Sequence, residues 1–512
     1  MTAATDAPVR RPLAPAGGAV PLTAARLLRL ELRHNAMPWL LPLIAALFWF
    51  DSYRPSTSMP TYWVLRTFWN MGQGATIIDF APFVAGAAAW VGSRDGRRGT
   101  ADLVTAAARP RWAVQLAAWA ATAIWAVGGY LAFVGVLFAV YAHQGVRGEP
   151  PWWWVAVGAA AVLAFSAAGF AVGALYPSRF AAPLAAFGAV FAMLMSSRIG
   201  FSHTSGWAQI LPTNSNGNFQ PDSGMLYPWL PDLPIARIMF LAGITVAALC
   251  LLGLPAAAGG PRLRRAAAVA TVAGLAAAGT AAGLAGTARL GPHGLVIPAL
   301  HDAANDRPIA NVPDCEGSGF RVCLNPDYRP ELTAVTAALA PVVREVAGLP
   351  GAPTRATQVA AAYSAGEGQG GQAMTISGRP PVLGMPLGAL GIPGAFGWTD
   401  GEVAGQLRLL FVHAFVGAGT SIGTPAQQAV QAALLQGAGL PIATQPNLLA
   451  SAGLWSLART TGGPAPGPPP ATGPVYAVAR RLAAMSADAR HAWLAAHLAA
   501  LRADHLTLAQ LP

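Results

Sequence analysis

The sequence contains no lysine, so all 32 of its basic residues are arginine. The phosphate-binding P-loop needs a lysine on the β- and γ-phosphates, which excludes ATP hydrolysis by that route. Charge of either sign is scarce: 10% of the 512 residues are charged and 54% are hydrophobic. A soluble domain carries about 25% charged residues, so the composition is that of a membrane protein. Three cysteines are too few for a disulfide scaffold. Residues 1–35 are polar, proline-rich and basic, and read as a cytosolic tail without a cleavable signal peptide.

Long apolar runs predict seven spans, near 36–53, 75–92, 113–141, 152–175, 180–198, 235–257 and 266–288. The first is interrupted by Pro38, Pro42 and Asp51 and reads as tilted or broken. Alanine and glycine dominate the others, which suits close helix packing in lipid. Residues 1–35, 93–112, 176–179 and 258–265 hold 14 arginines against four acids, whereas the remainder holds 18 against 17. The positive-inside rule puts those four stretches in the cytosol. The net charge of +11 then records topology, and no nucleic-acid surface is expected. The lipid bilayer is the expected environment, and residues 289–512 lie outside the cell.

Five arginines fall within the nineteen residues RDGRRGTADLVTAAARPRW, 94–112. Thr100 is a candidate cap for a short helix with Asp102 in its first turn, Leu103 and Val104 on an apolar face, and Pro110 as its stop. The structural alternative is an ordinary positive-inside loop. Upstream, LTAARLLRLELRHN, residues 22–35, separates Leu27, Leu28 and Leu32 from Arg26, Arg29 and Arg33 at helical spacing, as in an interfacial helix.

The stretch RRGTADLVTAAARPRWAVQLA resembles the cytosolic segment after the second span of type-2 ABC exporter permeases. The likeness extends over residues 20–258, which hold six spans and the opening amphipathic helix. It departs from the family's pattern at Ala101-Asp102-Leu103 and at Ala106-Ala107-Ala108-Arg109. The resemblance implies that residues 94–112 form a coupling helix, with Arg97, Arg98, Gly99, Thr100, Asp102, Leu103, Val104 and Arg109 touching a separate ATPase. It also implies a homodimer or heterodimer of membrane subunits. ATP would be bound by the partner, and no cofactor is expected in this chain. Asp79, near the end of the second span, is a candidate for the transport path, against a plain interfacial acid. Arg198 and Arg237 read as snorkelling residues at span ends.

The expected organisation is a tail and interfacial helix, 1–35; a six-span permease-type domain, 36–258; a basic loop and seventh span, 259–288; and an external domain, 289–512. The expected fold is therefore a membrane all-α bundle followed by a mainly helical α+β domain. In that domain, helices are predicted near 330–347, 400–416, 424–437, 446–459 and 475–504. Ser486 is a candidate cap within the last of these. Strands are predicted in 355–393, and TTGGPAPGPPPATGP, 460–474, reads as a loop. Cys315 and Cys323, in DCEGSGFRVC, form a candidate short-loop disulfide, with two free thiols as the alternative. Cys250 falls inside a span. The line His413-Ala414-Phe415-Val416-Gly417 faintly resembles the HExxH helix of gluzincin metallopeptidases. It lacks the glutamate and the second histidine, so no metal site or catalysis is expected. His491, His497 and His505 have no ligand-like spacing. The other readings are a membrane-anchored external sensor or scaffold, without transport, and a membrane metallopeptidase.

Overall fold

A computed structural model describes residues 24–52, 75–99, 111–202, 206–211, 223–254, 260–291, 293–360, 373–386, 400–418, 423–446 and 472–512. Among the described residues, the regular elements of the first half are helices: α1 (Ala24–Arg33), α2 (Met37–Ser52), α3 (Ala75–Gly92), α4 (Arg94–Arg97), α5 (Arg111–His143), α6 (Trp152–Leu175), α7 (Ala181–Ser202), α8 (Asp232–Leu251) and α9 (Gly260–Gly286). Among the described residues, four helices are long and apolar enough to cross a membrane: α5, α6, α8 and Pro261–Gly286 of α9. Met37–Leu47, Phe80–Gly92 and Ala181–Ser196 are shorter apolar stretches.

The helix ends follow from local chemistry. Pro38 does not break α2, because it sits at the second helical residue, where no backbone N–H is required. The Asn35 carboxamide caps that helix by accepting from the Met37 N–H at 2.9 Å. Helix α5 starts after Pro110 and ends where Gly145 takes a left-handed φ of 69°. Pro177 prevents α6 from continuing.

Small residues set how closely the helices pack. Gly169 and Gly173 of α6 lie against the backbone of Ala85 and Ala89 on α3, leaving no room for a side chain. Four-residue spacing on both helices makes this a small-xxx-small seam. On α7, by contrast, Leu184, Phe187, Phe191 and Leu194 recur every three or four residues and are all exposed. A stripe of that kind is poorly placed in water and well placed in hydrocarbon.

The second half is α+β. A hairpin, β1 (Arg289–Gly291) and β2 (Gly294–Val296), precedes β3 (Asp314–Glu316), β4 (Arg321–Leu324), α10 (Leu332–Val346), β5 (Arg355–Gln358), β6 (Thr375–Ser377) and β7 (Val382–Met385). Helices α11 (Asp400–Phe415), α12 (Pro425–Gly437), α13 (Pro474–Ala484) and α14 (Ala487–Arg502) follow. The five-stranded sheet runs β3-β4-β5-β7-β6, with β4, β5 and β7 parallel and both edge strands antiparallel. Strands β5 to β7 fall in the region expected to hold strands, whereas β1 to β4 were not foreseen. Cys315 and Cys323 are register partners on β3 and β4 and form a disulfide. Helix α12 opens with a reciprocal capping box between Thr424 and Gln427. The Ser486 hydroxyl caps α14 by accepting from the Ala489 N–H, which divides the long helix expected at 475–504. The helix expected at 446–459 and most of the 460–474 loop lie outside the described residues.

The two halves are tied together by the 223–231 segment. Met225 is buried in the apolar core of the second half, beside Val322, Leu324 and Tyr328. Ile309 donates its N–H to the Leu226 carbonyl at 2.9 Å, and Arg147 donates to the Asp327 carbonyl at 3.2 Å. The Trp229 indole N–H reaches the Glu149 carbonyl at 3.0 Å.

Candidate functional site: the junction of the amphipathic helix and the α3–α4 corner

Helix α1 presents Arg26, Arg29 and Arg33 to the surface and half-buries Leu27, Leu28 and Leu32. Its single acid, Glu31, lies on the inward side and is 7% exposed. A carboxylate placed there needs a partner, because burying an unpaired charge is costly. The partner is Arg94, the first residue of α4, sixty-three positions away. Its two terminal nitrogens donate to the two Glu31 oxygens at 2.8 and 3.0 Å. This is the bidentate fork geometry that makes arginine–carboxylate pairs strong and directional. The Glu31 contact, opposed by burial and aided by Asp95, raises the Arg94 pKa above its ordinary value.

Arg97, one turn further, folds back onto the end of α3. Its Nε donates to the Ser93 hydroxyl at 3.1 Å and a terminal nitrogen to the Trp90 carbonyl at 3.0 Å. The guanidinium carbon lies 3.5 Å from the centre of the Trp90 ring, a cation–π stack that also satisfies a helix-end carbonyl. Burial, with the neighbouring Arg98 charge, lowers the Arg97 pKa from its ordinary value. Of the residues expected to touch an ATPase, Arg97 is thus largely engaged within the chain, while Arg98 is exposed. Gly99 adopts φ of 65° and turns the chain out of α4. Gly96 packs directly on Pro177, so the 176–180 turn with its exposed Arg179 shares this face. Thr100, Asp102, Leu103, Val104 and Arg109 lie outside the described residues.

The same amphipathic helix also grips α5. Asn35, 4% exposed, donates to the Thr122 hydroxyl at 2.9 Å, and the Trp125 indole donates to the Leu32 carbonyl at 3.0 Å. The last turn of helix α1 is therefore bonded to α4 through Glu31 and to α5 through Leu32, and Asn35, just beyond its end, adds a second bond to α5. Neither link was read from the sequence. The available signal was a lone glutamate on the apolar side of a basic amphipathic helix.

The remaining candidates lie apart from this junction. The side chains of Asp79, in the first turns of α3, and Arg198, in the last turn of α7, lie outside the described set. Arg237 corrects the snorkelling expectation: it has no exposed surface, donates from Nε to the Gln209 carbonyl at 2.8 Å, and faces the Trp154 ring. Its helix is covered at that level by the 206–211 segment, which supplies the accepting carbonyl. Cys250 is half-buried near the end of α8. His413 is 2% exposed in the core of the second half, with Nδ1 3.4 Å from the Gln431 Oε1. His491 bonds the Ala347 carbonyl, while His497 bonds the Trp493 carbonyl and stacks on its indole. These histidines and His505 do not converge.

An apolar cavity of about 250 Å³ opens between α6, α7 and α8, lined by Phe165, Ala168, Met193, Leu211 and Phe240 among others. No protein-family model, curated protein or solved structure matches the chain.

Proposed function

We propose that this chain is the membrane subunit of an ABC-type exporter, driven by a separate ATPase that docks on the face formed by α1, α4 and the 176–180 turn. On this reading the seven apolar helices all cross the bilayer, with the arginine-rich stretches cytosolic and residues 289–512 on the opposite side. The observation that carries it is the bidentate Glu31–Arg94 pair, joined to the Asn35 and Trp125 bonds to α5. A push on the segment that follows Arg97 reaches both α3 and α5 through those contacts, which is what an ATP-driven lever requires. Exposed Arg98 and Arg179 give the face the positive rim that an acidic groove would take. The external domain is read as non-catalytic, since its one HExxH-like histidine is packed in the core against a glutamine.

The test is purification of the full-length chain from its native membrane with any bound ABC ATPase, followed by ATP hydrolysis assays. Arg98→Ala, Leu103→Ala and Arg109→Ala are expected to weaken the complex or change turnover at least several-fold. A complex that forms normally and turns over at the native rate in all three variants would overturn the proposal.

A further inference from the structure

A second polar cluster joins the N-terminal end of α8 to the segment after β2. Asp232, the first residue of α8, has no exposed surface, and its Oδ2 accepts from the Ile297 N–H at 2.9 Å. The same oxygen lies 3.1 Å from Nδ1 of His301, while Nε2 of that ring lies 3.0 Å from the Asp306 Oδ2. Ionised carboxylates only accept hydrogen bonds, and neutral imidazole has a single N–H. Both contacts are hydrogen bonds together only when both ring nitrogens carry protons, that is, when His301 is an imidazolium. No element in the transport reading uses these residues, and the cluster is the same on either side of the bilayer.

We propose that His301 is a proton-operated clasp that holds the 294–306 segment, and with it the second half of the chain, to the start of α8. Protonated, the ring bridges Asp232 and Asp306. On losing its proton it keeps one partner, and the bridge opens.

The surrounding charges agree with this assignment. The Asp306 hydrogen bond foremost raises the His301 pKa; burial, the next largest effect, opposes it, and the Asp232 and Asp306 charges with the Asp232 hydrogen bond add to the rise. Asp302 is turned to its own N–H of Ala304. His293 is stacked on Tyr227, its ring centre 3.5 Å away, and burial lowers its pKa, so as pH falls His301 takes its proton before His293 does. Arg237, one turn along α8, is bonded to the Gln209 carbonyl. Because the folded pKa of His301 lies above its ordinary value, the clasp is fully formed below the ordinary imidazole range. It is lost as pH rises through the raised value.

The test is hydrogen–deuterium exchange on the full-length protein in nanodiscs, between about pH 6 and about pH 9, with rates corrected for intrinsic exchange. Protection of residues 294–306 is expected to fall several-fold across that rise, while residues 332–346 stay constant. His301→Gln should abolish the transition. Asp306→Asn, at a half-exposed position that the fold tolerates, should move the transition to lower pH. A native protein without the transition, or a transition unchanged in either variant, overturns the clasp.

Discussion

Gly243 of α8 and Gly274 of α9 face one another backbone to backbone: a Cβ on Gly243 would lie 2.6 Å from the Gly274 carbonyl oxygen, and one on Gly274 would lie 2.7 Å from that of Gly243. The crossing of these two helices is set by the absence of both side chains. Gly274→Ala is expected to destabilise by about 1–3 kcal/mol, the usual cost of overpacking. Gly279→Ala and Gly283→Ala, on the same helix with open space around them, should be neutral or gain up to about 1 kcal/mol of helix propensity. Thermal unfolding in one detergent compares the three. Equal effects at all three positions would contradict the close crossing.

The Glu31–Arg94 fork should be worth about 1–3 kcal/mol as a charge-assisted pair that is mostly shielded from water. Arg94→Lys keeps the charge but loses the fork, so it should fall between the native protein and Arg94→Ala. A double-mutant cycle with Glu31→Ala measures the coupling. Additive losses would show that the two side chains act independently.

Met225 anchors the two halves by lying in the core of the second one. Truncation to alanine removes a buried thioether chain, and a loss of about 2–5 kcal/mol is expected. Denaturant unfolding followed at residues 289–512 is the measurement. An unchanged midpoint would mean that the second half holds its core without this residue.

Cys315 and Cys323 close a short hairpin loop, with a sequence separation of 8. Loop-closure entropy gives about 2–3 kcal/mol for a ring of this size. Cys315→Ser with Cys323→Ser should lower the unfolding temperature of the second half, and reductant should do the same to the native chain only. Reductant sensitivity in the double variant would point to some other thiol.

Where the sequence carries its own punctuation, the elements were legible. Helix α6 begins after Pro150-Pro151 and ends before Pro177, which are its expected limits. The capping serine at 486 marked a real division, and the leucine and arginine spacing of 22–35 marked α1. All seven strands are three or four residues long, too short to show an alternation above the surrounding glycine and proline, so the sequence marked only the broad region that holds β5 to β7 and none of β1 to β4. The junction was half legible: the amphipathic helix and the arginine-rich corner were visible, but the Glu31–Arg94 bond between them was not. Arg237 shows the same gap. An arginine at a span end reads alike whether it reaches outward to water or inward to a backbone carbonyl, because the covering segment comes from elsewhere in the chain. Asp232 and His301, sixty-nine positions apart, carry no local signal of each other.

Helix α5 is 33 residues long, roughly 50 Å at 1.5 Å per residue, well beyond the roughly 30 Å of hydrocarbon. It is held by α1 at Trp125 and by the Asn35 cap of α2 at Thr122, and beyond its far end lies the 145–149 turn from which Arg147 holds the second half. From Trp125 to His143 is roughly 27 Å of unbroken rod. A rotation of about ten degrees at the fulcrum would sweep that far tip by about 5 Å. Stiffness alone therefore lets a small turn of this helix beside α1 be felt as a larger displacement at the 145–149 turn that holds the second half.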